Sequence, residues 1–170
     1  PLVTAARPAR ADIEPTTVCN FRCPHCPTTG GVPGFVRRHM SLPEFTSVLD
    51  QLPTVYRIKL VGLGEPLLNP DFFAMVREAA RRRVRVLTTT NGSLLDKERR
   101  RELLTCGLTH LNVSVDAARP ETHARLRPGS NLEQIGGELA ALIRERGRQR
   151  RPVVRVWHVI QRESVSELPD

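Results

Sequence analysis

The stretch LNVSVD, Leu111 to Asp116, decides how the chain is built. Leu111, Val113 and Val115 put apolar side chains on one face of an extended segment, while Asn112, Ser114 and Asp116 put polar ones on the other. The apolar set suits packing beneath helices. The polar set then faces an interior, where each buried polar group needs a partner and a bound ligand is a natural one. Internal hydrogen bonding among these residues is the plainer alternative. Other β-branched runs read as strands at Arg57–Leu63 (RIKLVGL), Val84–Thr90 (VRVLTTT) and Val153–Ile160 (VVRVWHVI), with a weaker one at Ala11–Val18 (ADIEPTTV).

Between these runs the spacing turns helical. Phe45, Val48, Leu49 and Leu52 form one stripe, and Ser41 with Glu44 makes a capping box ahead of it. Asn69, Pro70 and Asp71 start a second helix bearing Phe72, Met75, Val76 and Ala79. A third runs from about Asp96 to Cys106 and stops at Gly107. A fourth places Leu132, Ile135, Leu139, Leu142 and Ile143 on one side, weakened by Gly136 and Gly137. The order is β-α-β-α-β-α-β-α-β, which predicts an α/β fold with a parallel sheet and right-handed crossovers. A fifth strand left bare would be an exposed edge. The expectation is therefore that residues 1–170 are one core domain, incomplete at its C-terminus, with a further helix starting in ESVSELPD.

The totals fit one globular domain: 170 residues, 39% apolar and 26% charged. No apolar run approaches the ~20 residues of a membrane span. No basic start followed by an apolar core suggests a secretory signal, although the chain opens at Pro1 rather than Met. The net charge of +8 is almost all arginine, much of it in runs such as Arg81–Arg83 and Arg144–Arg151. Solvated helix ends account for such runs better than nucleic acid does, because no aromatics interleave with them.

In a parallel fold the loops at the strands' C-terminal ends form one rim, where sites are built. Four strand ends here deliver unusual residues to that rim: Cys19, Cys23 and Cys26, then GLGEP (Gly62–Pro66), then TNG (Thr90–Gly92), then SVD (Ser114–Asp116). Clustered thiols without secretory signals argue for metal rather than disulfides and suit a reducing cytoplasmic setting. Thiolates spaced C-x3-C-x2-C select zinc, copper(I) or an iron–sulfur cluster. Zinc held structurally wants four ligands, usually in two pairs, and only His25 could complete the set. A four-iron cubane takes one ligand per iron, so three cysteines leave one iron open to a substrate or cofactor. A non-catalytic iron–sulfur or zinc staple is the competing reading. Cys106, beside Leu103 and Leu104, reads as a small buried apolar residue. On the fifth strand either Trp157 or His158 points inward.

The sequence resembles the radical S-adenosylmethionine (radical SAM) superfamily. CNFRCPHC (Cys19–Cys26) matches its cysteine signature. GLGEPLLNP (Gly62–Pro70) is similar to its second-strand Gly-Gly-Glu motif, with Leu63 intervening between the glycines. TTTNGSLL (Thr88–Leu95), the segment Asn112–Asn131 and WHVIQRESVSELPD (Trp157–Asp170) are similar to its next three strand ends. The branch it looks like includes peptide-modifying, sulfatase-maturing and molybdenum-cofactor enzymes. The resemblance implies a partial (β/α)6 TIM-like barrel with outer helices, of which about five strands lie here. It implies a [4Fe-4S] cluster on Cys19, Cys23 and Cys26, with S-adenosylmethionine chelating the fourth iron. Reductive cleavage of that cofactor would give a 5′-deoxyadenosyl radical that takes hydrogen from a substrate, for which a peptide side chain is the branch's suggestion. An electron donor such as flavodoxin or ferredoxin is the implied partner.

The resemblance also implies cofactor contacts. Gly62 and Gly64 let backbone come close, and backbone near Gly64 and Glu65 would meet the ammonium group. Thr90 and Ser114 would serve the ribose or amino-acid end, Asn91 and Asp116 would shape the rim, and Arg127 would bind the carboxylate. The backbone of His25 would meet the adenine. Arg125 is the neighbour most easily confused with Arg127.

Overall fold

The computed structural model describes residues 7–30 and 33–167. Five strands form one sheet: β1 (Arg10–Ile13), β2 (Arg57–Leu60), β3 (Arg85–Thr90), β4 (His110–Ser114) and β5 (Val153–Trp157). Every neighbouring pair is parallel, and the order is simply β1-β2-β3-β4-β5. With right-handed crossovers, strands added one after another place all connecting helices on one face, which is the geometry of a barrel segment and not of a doubly wound sheet.

The helices are α1 (Leu42–Asp50), α2 (Phe72–Arg81), α3 (Lys97–Thr105), α4 (Pro120–Leu126) and α5 (Leu132–Arg146). On their side of the sheet Ile58, Leu60, Val86, Leu111 and Val113 are fully buried against Phe45, Phe72, Met75, Leu103 and Leu142. The other side is concave and is ordered in rungs by the register. Arg10, Arg57 and Arg85 stand beside one another. Above them come Asp12, Lys59, Leu87, His110 and Val153, then Thr89, Asn112 and Arg155, then Ser114 and Trp157.

Local chemistry explains the helix ends. The capping box is made: the Ser41 side chain accepts from Glu44 N–H, and the Glu44 carboxylate accepts from Ser41 N–H. Cys106 caps α3, fully buried, and Gly107 follows at φ 93°. The start of α2 differs from the sequence expectation. Asp71 is the N-cap but makes no cap bond, because its carboxylate accepts Leu42 N–H at 2.9 Å and stitches the starts of α1 and α2 together. Asn69 is a brace: it accepts Asp71 N–H and donates to the carbonyls of Pro15 and Met40.

Three further expectations need correction. One helix was expected between β4 and β5, but α4 and α5 are both there, separated by a break at Arg127–Asn131 with Gly129 at φ 96°. Ile143 is 47% exposed, since it lies about 80° round α5 from Ile135 at roughly 100° per residue. The helix expected in ESVSELPD is a single 3-10 turn at Val165–Glu167, and residues 168–170 lie outside the described ones. Trp157 shares the concave face with Ser114, while His158 lies against Ser164 (Nε2 to Oγ, 3.3 Å). Among the described residues no helix is long and apolar enough to cross a membrane.

Candidate functional site

The chain leaves β1 at Ile13 and passes into the cysteine loop. That loop is held on several sides. Glu65 N–H donates to Val18 O (2.8 Å), which fixes the loop's start to the GLGEP turn. Asn20 donates to Ser93 Oγ and accepts from Asn91 Nδ2, both at 2.9 Å, which fixes it to the end of β3. Arg22 N–H reaches Pro128 O (3.4 Å), which fixes it to the segment after α4. Gly64 is needed where the loop meets the turn: a Cβ there would lie 2.3 Å from the backbone oxygen of Thr16. The close approach that the glycine motif permits is thus chain against chain. At Gly62 a Cβ would meet only the flexible Glu14 side chain.

Above the concave face lies a cavity of about 290 Å³. Cys19, Cys23, Cys26 and His25 line one side, and Gly62, Gly64 and Glu65 another. Thr90, Asn91, Ser114 and Arg127 close it. All four cysteines are free, with Cys23 and Cys106 buried and Cys19 and Cys26 half-buried. Phe21 N–H donates to Cys19 Sγ (3.4 Å), and Cys26 Sγ lies 3.1 Å from Thr28 Oγ1. Burial pushes the Cys19 and Cys23 thiols up; the Phe21 N–H opposes this at Cys19 and the Arg127 guanidinium at Cys23. Among the described residues no three Cys, His, Asp or Glu side chains are grouped to hold one metal ion. A zinc ion draws its sulfurs to ~2.3 Å, whereas a cubane takes one thiolate per iron and spreads them. The three cysteines around this cavity fit the cluster.

The Glu65 carboxylate points away from the cavity. It is 2% exposed and accepts from Leu67 N–H (3.1 Å), Thr90 Oγ1 (2.7 Å) and Asn91 N–H (2.7 Å). Burial pushes its pKa up, against those three donors. Its own N–H goes to Val18, and its carbonyl accepts Leu68 N–H. Both backbone hydrogen-bonding groups of Glu65 are thus engaged within the chain.

Thr90 lines the cavity with its hydroxyl already engaged. It sits on the helix side of β3 with Thr88 and Val86, and its hydroxyl is taken up by Glu65 and by Gly92 N–H. The hydroxyl that faces the cavity from β3 is Thr89, in register with Asn112. The alternation read at Leu111–Asp116, carried across to TTT, would have found it.

Asp116 is fully buried and joins three elements. Its Oδ2 accepts Arg127 Nε (2.6 Å), its Oδ1 accepts Val159 N–H (3.0 Å), and His25 Nε2 stands 3.9 Å away. Arg127 is 8% exposed. Its Nε is committed to Asp116, and its two terminal nitrogens have no partner among the described residues. Behind it, buried His123 accepts the helix's last turn: Arg127 N–H donates to His123 O, and the His123 ring lies 2.9 Å from Ser130 Oγ. Arg125 instead faces solvent beside Thr122 and Glu163.

A profile described as the Radical SAM superfamily matches residues 13–167. The chain is 33% identical over 129 residues to an AdoMet-dependent heme synthase of Methanosarcina barkeri, covering 73% of this chain and 36% of that one. It is 37% identical over 130 residues to a GTP 3′,8-cyclase of Aeromonas hydrophila, covering 71% and 37%. The chain thus spans little more than a third of these relatives. Among solved structures, Streptococcus suis SuiB bound to S-adenosylmethionine superposes with TM-score 0.77 at 18% identity, over 95% of this chain and 36% of that one.

Proposed function

The chain belongs to the radical SAM superfamily, and from that premise we propose that it is the part of an enzyme that generates a radical from S-adenosylmethionine and directs it at a substrate held over the concave face. The observation that carries this is the single cavity onto which the three cysteines, the glycine turn and Arg127 converge. When bound, a reduced [4Fe-4S] cluster supplies the electron that splits the sulfonium of S-adenosylmethionine and so makes a carbon radical able to take hydrogen from a substrate.

Cys19, Cys23 and Cys26 hold the cluster. Because the family's ligands bind as thiolates and burial favours the thiols, loading the site releases protons. The Phe21 N–H beside Cys19 Sγ favours the thiolate there. Arg127 presents its free fork to the cofactor's carboxylate while Asp116 fixes its orientation. The carbonyls of Gly62 and Gly64 accept from the ammonium group, and Ser114 and Thr89 offer hydroxyls from the concave side. His25 lies against the buried Asp116 and closes the rim on the adenine side. Glu65, Thr90 and Asn91 hold the strand ends in place. An external one-electron donor, of the flavodoxin or ferredoxin kind, is required.

A peptide substrate finds support only in the likeness to SuiB, which has also been solved bound to precursor peptide SuiA with TM-score 0.73 at 17% identity. That likeness carries the fold. The more similar relatives are named for heme synthesis and for a GTP cyclase. The test of the radical reading is anaerobic reconstitution with iron and sulfide, followed by reduction with dithionite and S-adenosylmethionine. Four irons per chain and 5′-deoxyadenosine are expected. Cys23→Ala should lose both. One tightly bound zinc and no iron would overturn the proposal in favour of a structural staple.

A further inference from the structure

The concave face carries positive charge that the fold does not use. Arg10, Arg57 and Arg85 stand in register on adjacent strands, at about 4.8 Å spacing. Like charges directly opposite on neighbouring strands destabilise a sheet. Arg10 is turned to the Tyr56 hydroxyl (2.9 Å). Lys59 is matched by Asp12 at 3.4 Å, the only carboxylate on these rungs. Arg57, Arg85 and, two rungs higher, Arg155 have no ion pair or side-chain hydrogen bond among the described residues. His110 between them registers the field: burial, then Arg155, Arg151, Arg57 and Arg85, hold its pKa below the usual imidazole range.

A second observation lies beside Arg155. Asn112 is 1% exposed and donates to Thr89 Oγ1 (3.2 Å), but its Oδ1 is buried without a partner. Turning the amide round would only move the unpartnered atom to its other end. A buried polar atom of this kind calls for a ligand group.

We propose that the concave face binds the polyanionic end of the substrate, a phosphate or a cluster of carboxylates, with Arg57, Arg85 and Arg155 as its cationic contacts and Asn112 taking a hydroxyl or N–H of the same molecule. This rests on the reading of the rim above as the place where the radical forms. Planar guanidinium forks suit oxyanions, and several in a row suit several charges. The spacing also sets the ligand's length. Arg155 lies two residues below Trp157 and Arg85 five below Thr90, roughly 7 and 16 Å at about 3.3 Å per residue. The substrate is therefore elongated, with its charge at that distance from the carbon that reacts.

The test is calorimetric titration of the reconstituted holoprotein with pyrophosphate and, separately, with citrate, at constant ionic strength. Saturable binding of at least one is expected. Tighter pyrophosphate assigns phosphate, and tighter citrate assigns carboxylates. The double variant Arg57→Gln/Arg85→Gln should bind about tenfold or more weakly, while Arg101→Gln, exposed on outer helix α3, should bind as the parent does. Relief of the repulsion should leave the double variant's Tm unchanged or higher. The proposal is overturned by an absence of saturable heat with both anions, by unchanged affinity in the double variant, by an equal loss in Arg101→Gln, or by a lowered Tm, which would make the arginines structural. Release of 5′-deoxyadenosine without substrate should be the same in the parent and in Arg101→Gln. Its absence from both would sink the radical reading and leave the anion titration to be judged separately.

Discussion

The two faces of the sheet are made by the same five strands and live in different solvents. On the convex face Ile58, Leu60, Val86, Leu111 and Val113 are each 0% exposed under the helices. On the concave face their immediate neighbours Arg57, Lys59, Arg85 and Asn112, with Arg155 in register beside Asn112, are polar or charged, and only Asn112 among them is buried. Stability is thus drawn from one side. The other is released from packing and can carry charge, glycine turns and thiols. Substitutions on the two faces should separate accordingly.

The sharpest contrast is between two adjacent residues of β4. Leu111→Ala should cost about 2–5 kcal/mol, the transfer and cavity terms of a fully buried leucine. Asn112→Ala removes a group that is already half unpartnered and should cost under about 1 kcal/mol. Urea unfolding followed by circular dichroism measures both. Equal costs would mean that the concave face is a second core, and the comparison would fail.

Next in size is Glu65→Gln, at the junction of the two faces. The carboxylate accepts three donors and gives none. An amide must set its NH2 against at least one of them, leaving a buried donor unpaired at a cost of about 1–3 kcal/mol. The expected result is a lower urea midpoint with the slope unchanged. A Gln variant as stable as the parent would show that the three donors do not depend on the carboxylate.

Arg127→Lys should do the reverse, moving binding more than stability. Lysine keeps the charge but loses the fork that lets one edge hold Asp116 while the other is free. Affinity for S-adenosylmethionine should fall about tenfold, equivalent to ~1.4 kcal/mol, by equilibrium dialysis of the holoprotein. If affinity holds and the urea midpoint drops instead, Arg127 is a strut for Asp116 and the cofactor's carboxylate is bound elsewhere.

Much of this division was legible before any coordinates. The alternation in LNVSVD named the two faces, and the β-α order named the parallel sheet, because both are local periodicities. The cysteine, glycine, Asn91, Ser114 and Asp116 positions come together because each follows a strand's C-terminal end, which parallel topology gathers by itself; Arg127, at the end of α4, is tied to them through Asp116. What stayed hidden depends on register between strands. The arginine ladder needs Arg10, Arg57 and Arg85 to be aligned, and nothing in any one strand says so. Thr90 lines the cavity, but its hydroxyl is spent on Glu65 and Gly92, and the partner Glu65 is distant in the chain. Asn69 looked like a cap and is a brace because its partners, Pro15 and Met40, are distant in the chain.

The smallest expected effect lies outside both faces, at the exposed start of α1. Glu44 accepts from Ser41 N–H (2.7 Å) and from the Ser41 hydroxyl (2.9 Å), and it pairs with Arg38. The Ser41 backbone bond first, then the Ser41 hydroxyl and Arg38, lower its pKa from 4.5 to about 2. A carboxyl depressed in the folded state contributes its stability in full above the unfolded value and loses it as pH falls through the folded one. The Ser41 amide resonance should therefore titrate near pH 2. A midpoint near 4.5 would mean that the box does not persist in solution. Amides deeper in α1, such as Phe45 and Leu49, pack on the convex core and should not follow Ser41. If they do, the outer layer depends on its caps, and the convex face owes less to apolar burial than the fully buried Ile58, Leu60 and Val86 imply.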